Sequence, residues 1–411
     1  MNVDTIGARY REVRKHTLAL ADPLSEEDCC VQSMPDASPI KWHMAHTTWF
    51  FETFILERHE PRFKPFHPAF RVLFNSYYNG VGDKHPRPQR GMLTRPPLRD
   101  IAAYRHNVDE RLCALLSEQA LTADLLALVE TGLQHEQQHQ ELMLTDVKHM
   151  LSLNPLFPAY STSPFKPAPV SAPLGWVELE AALVGIGHVG DGVCFDNETP
   201  RHRQFVEAYA LASRLTNNRE YLAFVEDGGY DTPSLWLSEG WDWVQANRLA
   251  HPLYWRREKG GWKEFTLHGL HPLDPHRPVT HVSFFEADAF ARWSSARLPT
   301  EAEWEHAALG ASSFGSTALH PMSSPREQAR GLCELFGAAW QWTLSSYAPY
   351  PGYQAASGAI GEYNGKFMSN QYVLRGSSCA TPAGHARVTY RNFFPSSARW
   401  QFSGIRLAKS L

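Results

Sequence analysis

The chain has 411 residues, 43% hydrophobic and 20% charged, with a formal net charge of −4. That length exceeds one ordinary core and predicts two or three domains, and the composition is that of a globular chain rather than a disordered one. Weak acidity removes the electrostatic case for nucleic acid or an anionic membrane as partner, and no apolar run reaches the roughly 20 residues that span a bilayer.

The segment Met1–Tyr10 has no apolar signal core and reads as a mature start. Cys29, Cys30, Cys113, Cys194, Cys333 and Cys379 form no CxxC pair and no dense framework, which points to a reducing cytoplasm.

Residues 5–153 read as helical. A first helix is expected near 4–20 and a second over 38–58, with Pro39 in its first turn. A third covers 97–117, where Leu98, Ile101, Tyr104, Val108, Leu112, Leu115 and Leu116 recur with helical period, and a fourth covers 121–151. Four amphipathic helices predict a bundle, a fold that builds metal sites from side chains on facing helices.

Between Asn154 and Pro173 six prolines (155, 158, 164, 167, 169 and 173) predict a stiff, extended linker. The expected domains are therefore 1–153, a linker over 154–173, and 174–411. Past Gly175, short segments alternate with Gly, Pro, Asn and Asp turns, which predicts irregular α+β structure. Helices are expected near 217–227 and 285–295, and another starts at Thr300, where Thr300 and Glu303 have capping-box spacing.

The densest chemistry lies in the run His135-Glu136-Gln137-Gln138-His139-Gln140-Glu141. On a helix, residues four apart share one face, so both imidazoles stack there as half of a metal site. The second helix offers His43 or His46 as a third ligand. The run also matches the zinc-protease pattern HExxH, although no third zinc ligand is evident downstream.

Three further stretches sharpen the reading: Asn75-Ser76-Tyr77-Tyr78-Asn79-Gly80-Val81-Gly82 with Pro86-Arg87-Pro88-Gln89-Arg90-Gly91 after it; Arg297-Leu298-Pro299-Thr300-Glu301-Ala302-Glu303-Trp304-Glu305; and Gly404-Ile405-Arg406-Leu407. With the histidine run, their order resembles the non-haem iron sulfoxide synthases of ergothioneine biosynthesis. The resemblance covers nearly the whole chain. It implies a DinB-like four-helix bundle followed by a C-type-lectin-related domain of the formylglycine-generating-enzyme type.

The resemblance implies Fe(II) held by His46, His135 and His139, with His43 either structural or a partner of a ligand, and Glu136 structural. It implies O2-dependent C–S bond formation between hercynine and a thiol, giving a sulfoxide. Arg87 and Arg90 would hold the carboxylate of the thiol substrate, as a guanidinium fork suits. Tyr77 and Tyr78 would supply a catalytic phenol; adjacent in an extended loop, they are expected to point to opposite sides. Gln138 would bond the hercynine imidazole. Asn392, Phe393 and Phe394, with aromatic faces also available at Tyr390, Trp400 and Phe402, would line a pocket for the betaine, whose quaternary ammonium favours π faces. That pocket is expected at the domain interface.

Two departures matter. The family's lectin-like domain often carries Gly-Asn-Val-Trp-Glu-Trp-Thr, and here Gly337-Ala338-Ala339-Trp340-Gln341-Trp342-Thr343 lacks two of its oxygen ligands, which argues against a structural calcium. Cys379 alone occupies the stretch where copper oxidases of this fold use a cysteine pair. The Tyr-Tyr pair and compact length resemble the cysteine-using branch, with γ-glutamylcysteine as the other thiol. Selenoneine synthases, which take a selenosugar, share the architecture; ovothiol-type enzymes usually add a methyltransferase domain. The remaining readings are an HExxH zinc hydrolase and a lectin-like binding protein.

Overall fold

The computed structural model describes residues 3–118, 122–190, 192–311, 318–325 and 331–411. The chain divides into two units, Met1–Leu156 with Ala355–Tyr363, and Phe157–Gln354 with Asn364–Leu411.

The first unit is built on four long helices: α1 (Val3–Ala21), α2 (Ile40–Phe51), α3 (Leu98–Glu118) and α4 (Ala123–Ser152). In α1 the buried residues Ile6, Tyr10, Val13, Thr17 and Leu20 form one stripe at helical spacing. Every residue of α2 is buried, as befits a helix enclosed on all sides. It continues through a π-helical turn, Glu52–Leu56, where Glu52 accepts from the Tyr104 hydroxyl of α3. Helix α4 opens on Thr122, whose side chain accepts from Leu125 N–H. Thirty residues make it about 45 Å long.

Gly132 decides how closely α4 approaches α2. A Cβ there would lie 2.5 Å from Cε1 of the buried Phe51 ring, so only glycine admits this contact, one turn before His135. The interior of the bundle is also unusually polar, with His43, His46, Thr48, His135, Glu136 and His139 all buried or nearly so. Polar groups persist in such a place only when partnered with one another or with a ligand.

In the second unit, residues 161–171 lie along the body as an ordered strap. Ser161 N–H donates to Leu267 O, Ala168 N–H to Asp274, and Ser171 bridges to Pro325. The expected linker is thus hydrogen-bonded structure, because extended proline-rich backbone still offers N–H groups between its prolines.

Four small sheets follow. Strands β1 (Trp176–Leu179), β4 (Tyr209–Ala212) and β12 (Ala408–Ser410) form one, with β4 central. Strands β2 (Ala182–Ile186) and β3 (His202–Val206) pair as a ribbon. Strands β5 (Trp255–Glu258), β6 (Gly261–Thr266) and β7 (Gly269–Pro272) form a meander. The fourth runs β10 (Asn392–Phe394), β9 (Tyr372–Gly376), β8 (Trp340–Ser346), β11 (Ser403–Gly404).

Helices α5 (Asn218–Glu226), α7 (Phe284–Trp293) and α8 (Glu301–Ala307) fall where the sequence predicts, each opened by a reciprocal capping box. Helix α6 (Ser238–Asn247) has no cap side chain at its N-terminus and gave no start signal in the sequence. Buried ion pairs, Arg391 with Glu301 and Arg375 with Glu305, tie α8 to the residue preceding β10 and to β9. The cysteines are all free, and among the described residues no helix is long and apolar enough to cross a membrane.

Candidate metal centre

Helix α2 contributes His46 and α4 contributes His135 and His139, one turn apart. One ring nitrogen of each lies within 4.8 Å of the others, and among the described residues no other His, Cys, Asp or Glu group converges in this way. His46 Nδ1 donates to Phe74 O at 2.6 Å, which leaves its Nε2 lone pair without a hydrogen-bond partner inside the protein. Both nitrogens of His135 are buried and unpartnered. Such orphaned acceptors are costly in a core, and a cation at their common focus would satisfy them, so the residues present fit a metal ion.

Aromatic packing fixes the rings. His46 is sandwiched between Trp42 at 4.5 Å and Trp49 at 5.5 Å, and Phe50 lies 4.7 Å from His135. Burial, foremost, pulls His135 down to about 3, and His46 and His139 well below the usual imidazole range. All three are therefore neutral near pH 7, the form that binds metal.

Arg90 lies against this cluster. Its guanidinium stacks on Trp42 at 3.4 Å, and its terminal nitrogens donate to Ser38 Oγ at 2.9 Å and Ser76 Oγ at 3.0 Å. It is almost fully buried, no carboxylate among the described residues contacts it, and burial, then the nearby Arg87 charge, pulls it down to about 9. A buried cation in this condition is electrostatically suited to an incoming anion. Arg87 is exposed and donates to Asp36 O. The structure thus places one of the two expected arginines inside the bundle and the other on its surface.

The two tyrosines do not point apart. Their rings stack at 4.6 Å, and the Tyr77 hydroxyl lies 3.5 Å from that of Tyr78. The backbone there is a turn rather than an extended strand: Asn75 Oδ1 accepts from Tyr78 N–H, and Asn75 Nδ2 donates to the carbonyls of Tyr78, Gly82 and Asp83. Period-two alternation does not apply in a turn. Tyr78 is fully buried against Trp49 and Phe54, and burial raises its phenol well above the ordinary value.

Gln138 Oε1 accepts from the Tyr363 hydroxyl at 2.6 Å, and the Tyr363 ring lies 5.7 Å from His135. Glu362 beside it accepts from the N–H groups of Asn79 and Gly80, just past the tyrosine pair. Sequence reasoning missed Tyr363, which lies 225 positions from Gln138 with no local signal. It also missed Trp42 and Trp49, although their spacing from His46, four and three residues, was available.

Glu136 cannot serve as the base of an HExxH hydrolase. One carboxylate oxygen accepts from Arg14 and the other from Arg105 and Thr17. Burial alone would raise its pKa, but the two guanidinium groups prevail and take it down to about 2. The motif matches by letters only, because α1 and α3 occupy both oxygens.

In the second unit, Asn392, Phe393 and Phe394 are half-buried on β10. Asn392 Oδ1 accepts from Phe393 N–H, and Phe393 stacks on Tyr347 at 4.0 Å. Phe394 meets the half-buried Trp400 edge to face at 6.3 Å. Tyr390 and Phe402 are buried in the core against His385 and His281, so their faces are already covered. Gln341 accepts from Trp304 Nε1 and Arg406 Nε and donates to Leu335 O, which commits its amide wholly to the protein.

The chain combines a helical bundle holding a three-imidazole cluster with a second unit of small mixed sheets. Residues 9–143 match the DinB superfamily, and residues 162–317 and 311–411 match the sulfatase-modifying factor enzyme 1-like domain. The chain is 30% identical to the hercynine oxygenase of Mycobacterium tuberculosis, over 98% of both chains. It is 30% identical to that of Mycolicibacterium thermoresistibile, over 97% of this chain and 93% of the relative. It is also 27% identical to the formylglycine-generating enzyme of Streptomyces coelicolor, over 54% of this chain and 83% of that one. It belongs to the hercynine oxygenase family, the sulfoxide synthases of ergothioneine biosynthesis.

Proposed function

We propose that the chain is an Fe(II)- and O2-dependent sulfoxide synthase that joins hercynine to cysteine, or to γ-glutamylcysteine, through a new C–S bond. The observation that carries this reading is the convergence of three neutral, buried imidazoles beside a buried guanidinium that no carboxylate among the described residues contacts. Membership in a family of ergothioneine biosynthesis, whose product is a sulfur compound, favours a sulfur donor over a selenosugar.

His46, His135 and His139 would hold the metal, and three nitrogen donors leave positions open for other ligands. Fe(II) there would supply the one-electron chemistry that ground-state dioxygen requires. Arg90 binds the carboxylate of the thiol donor with its charge and orients it over Trp42. Tyr78 keeps its proton because burial disfavours the phenolate, and its contact with Tyr77 makes the pair a proton source at the reacting oxygen. Gln138, set by the Tyr363 hydroxyl, orients the hercynine imidazole. Asn392, Phe393 and Phe394 recognise the betaine, the aromatic faces through cation–π attraction.

The test is anaerobic loading with Fe(II), then incubation in air with hercynine and, separately, cysteine, γ-glutamylcysteine or a selenosugar. A product mass equal to the two substrates plus one oxygen minus two hydrogens, with cysteine or γ-glutamylcysteine, supports the reading. Oxidised thiol with hercynine unchanged in every arm refutes it.

A further inference from the structure

One buried hydrogen-bonded chain stands apart from the roles assigned so far. His43 Nδ1 lies 2.8 Å from His139 Nδ1, and His43 Nε2 lies 3.0 Å from Asp146 Oδ2. The same Asp146 oxygen accepts from Ser38 N–H at 2.8 Å, at the start of α2. His43 is 2% exposed and Asp146 5%, so water does not compete for these bonds.

One proton order fits both contacts and frees a ligand nitrogen: a carboxylate accepts, so His43 donates its Nε2 proton to Asp146. The His43 lone pair then lies on Nδ1 and accepts the proton of His139 Nδ1. That leaves the His139 lone pair on Nε2 alone, the nitrogen free to join the cluster. Without this order His139 could place its proton on Nε2, the tautomer an isolated imidazole favours, and that nitrogen could bind no metal. His46 is held in the corresponding state by Phe74 O, whereas His135 has neither nitrogen partnered. The side-chain relay therefore serves one ligand.

We propose that Asp146 and His43 are positioning residues that lock His139 in its Nδ1–H tautomer and orientation, so that the third nitrogen of the cluster is permanently available to a metal. This rests on the three-histidine reading of the centre. Partners of this kind fix ligand geometry, and their loss weakens metal sites by about 10–100-fold.

The experiment uses the full chain and two substitutions, His43→Leu and His43→Gln. In the metal-free protein, nitrogen-15 histidine spectra report which His139 nitrogen bears the proton. An anaerobic Fe(II) titration against a competing chelator reports affinity. Wild type should show Nδ1–H. His43→Leu should shift the proton to Nε2 and weaken Fe(II) binding by about 10–100-fold, while His43→Gln, whose amide oxygen can accept from Nδ1–H, should recover most of that loss. Wild-type His139 protonated on Nε2 would overturn the proposal. So would a folded His43→Leu protein with unchanged affinity, or a folded His43→Gln protein as weak as His43→Leu. A His46→Ala protein that binds Fe(II) like wild type would instead sink the metal centre, and the metal-free spectra would still decide the relay.

Discussion

Replacing Glu136 with Gln separates a structural carboxylate from a catalytic one. Glu136 is fully buried between Arg14 and Arg105, and Arg105 has no other carboxylate contact among the described residues. The folded carboxyl titrates at about 2 against an ordinary 4.5, a gap worth about 3 kcal/mol of folding free energy. The sign follows from the depression: the contribution is complete above about pH 4.5 and is lost as pH falls toward 2. The substitution strands a buried guanidinium, which places the cost at about 3–5 kcal/mol. For a unit of this size that lowers the melting temperature by roughly 6–20 °C. Urea unfolding followed by circular dichroism at pH 7 and at pH 4 is the assay. The gap between wild type and variant should be large at pH 7 and smaller at pH 4, while Fe(II) content of the folded variant is retained. Equal stability at pH 7 with activity abolished would show that Glu136 acts in chemistry and that the argument from its partners is wrong.

The other expectations are quickly stated. Gly132→Ala forces the buried Phe51 ring away from α4 and should cost about 1–3 kcal/mol by thermal melting; an unchanged melting temperature would mean that the two helices do not meet there. Arg90→Met keeps the packing on Trp42 but removes a charge-assisted bond of about 1.5–3 kcal/mol, so the KM for the thiol donor should rise roughly 10–100-fold, with a smaller change for Arg87→Ala. Equal effects of the two substitutions would contradict the different burial of the two arginines. Tyr363→Phe removes the donor to Gln138 and should raise the KM for hercynine by about 5–10-fold with metal content unchanged. His135→Ala should remove Fe(II) binding while the second unit keeps its melting transition, as calorimetry would show.

Much of this molecule is written locally. Apolar spacing marked α3 and α4, because a helix that buries one face needs apolar residues every three or four positions, and Pro39 marked the start of α2. Thr300 marked one helix start, and Ser283 and Asn217 open two more in the same way, because a cap is a contact between residues three apart. Two of the three clustered histidines were legible for the same reason, since His135 and His139 lie one turn apart. Asp146, seven residues beyond His139 and on the same face, was legible in principle.

What the residues alone left open was the third histidine of the cluster, with His43 and His46 equivalent by spacing; resemblance favoured His46, and it is His46 that converges with the other two. His46 lies between two indoles with one nitrogen tied to Phe74 O, while both nitrogens of His43 are engaged by His139 and Asp146. Tertiary structure alone also set the fate of Glu136, of Arg87 and Arg90, and of Tyr363. Each depends on which distant segment comes to rest beside the side chain. Local sequence dictates what a residue can offer, through its chemistry and its place on a helix or turn. Only the folded chain decides which offers are already taken, because a donor or acceptor is spent once a neighbour from another part of the chain has satisfied it.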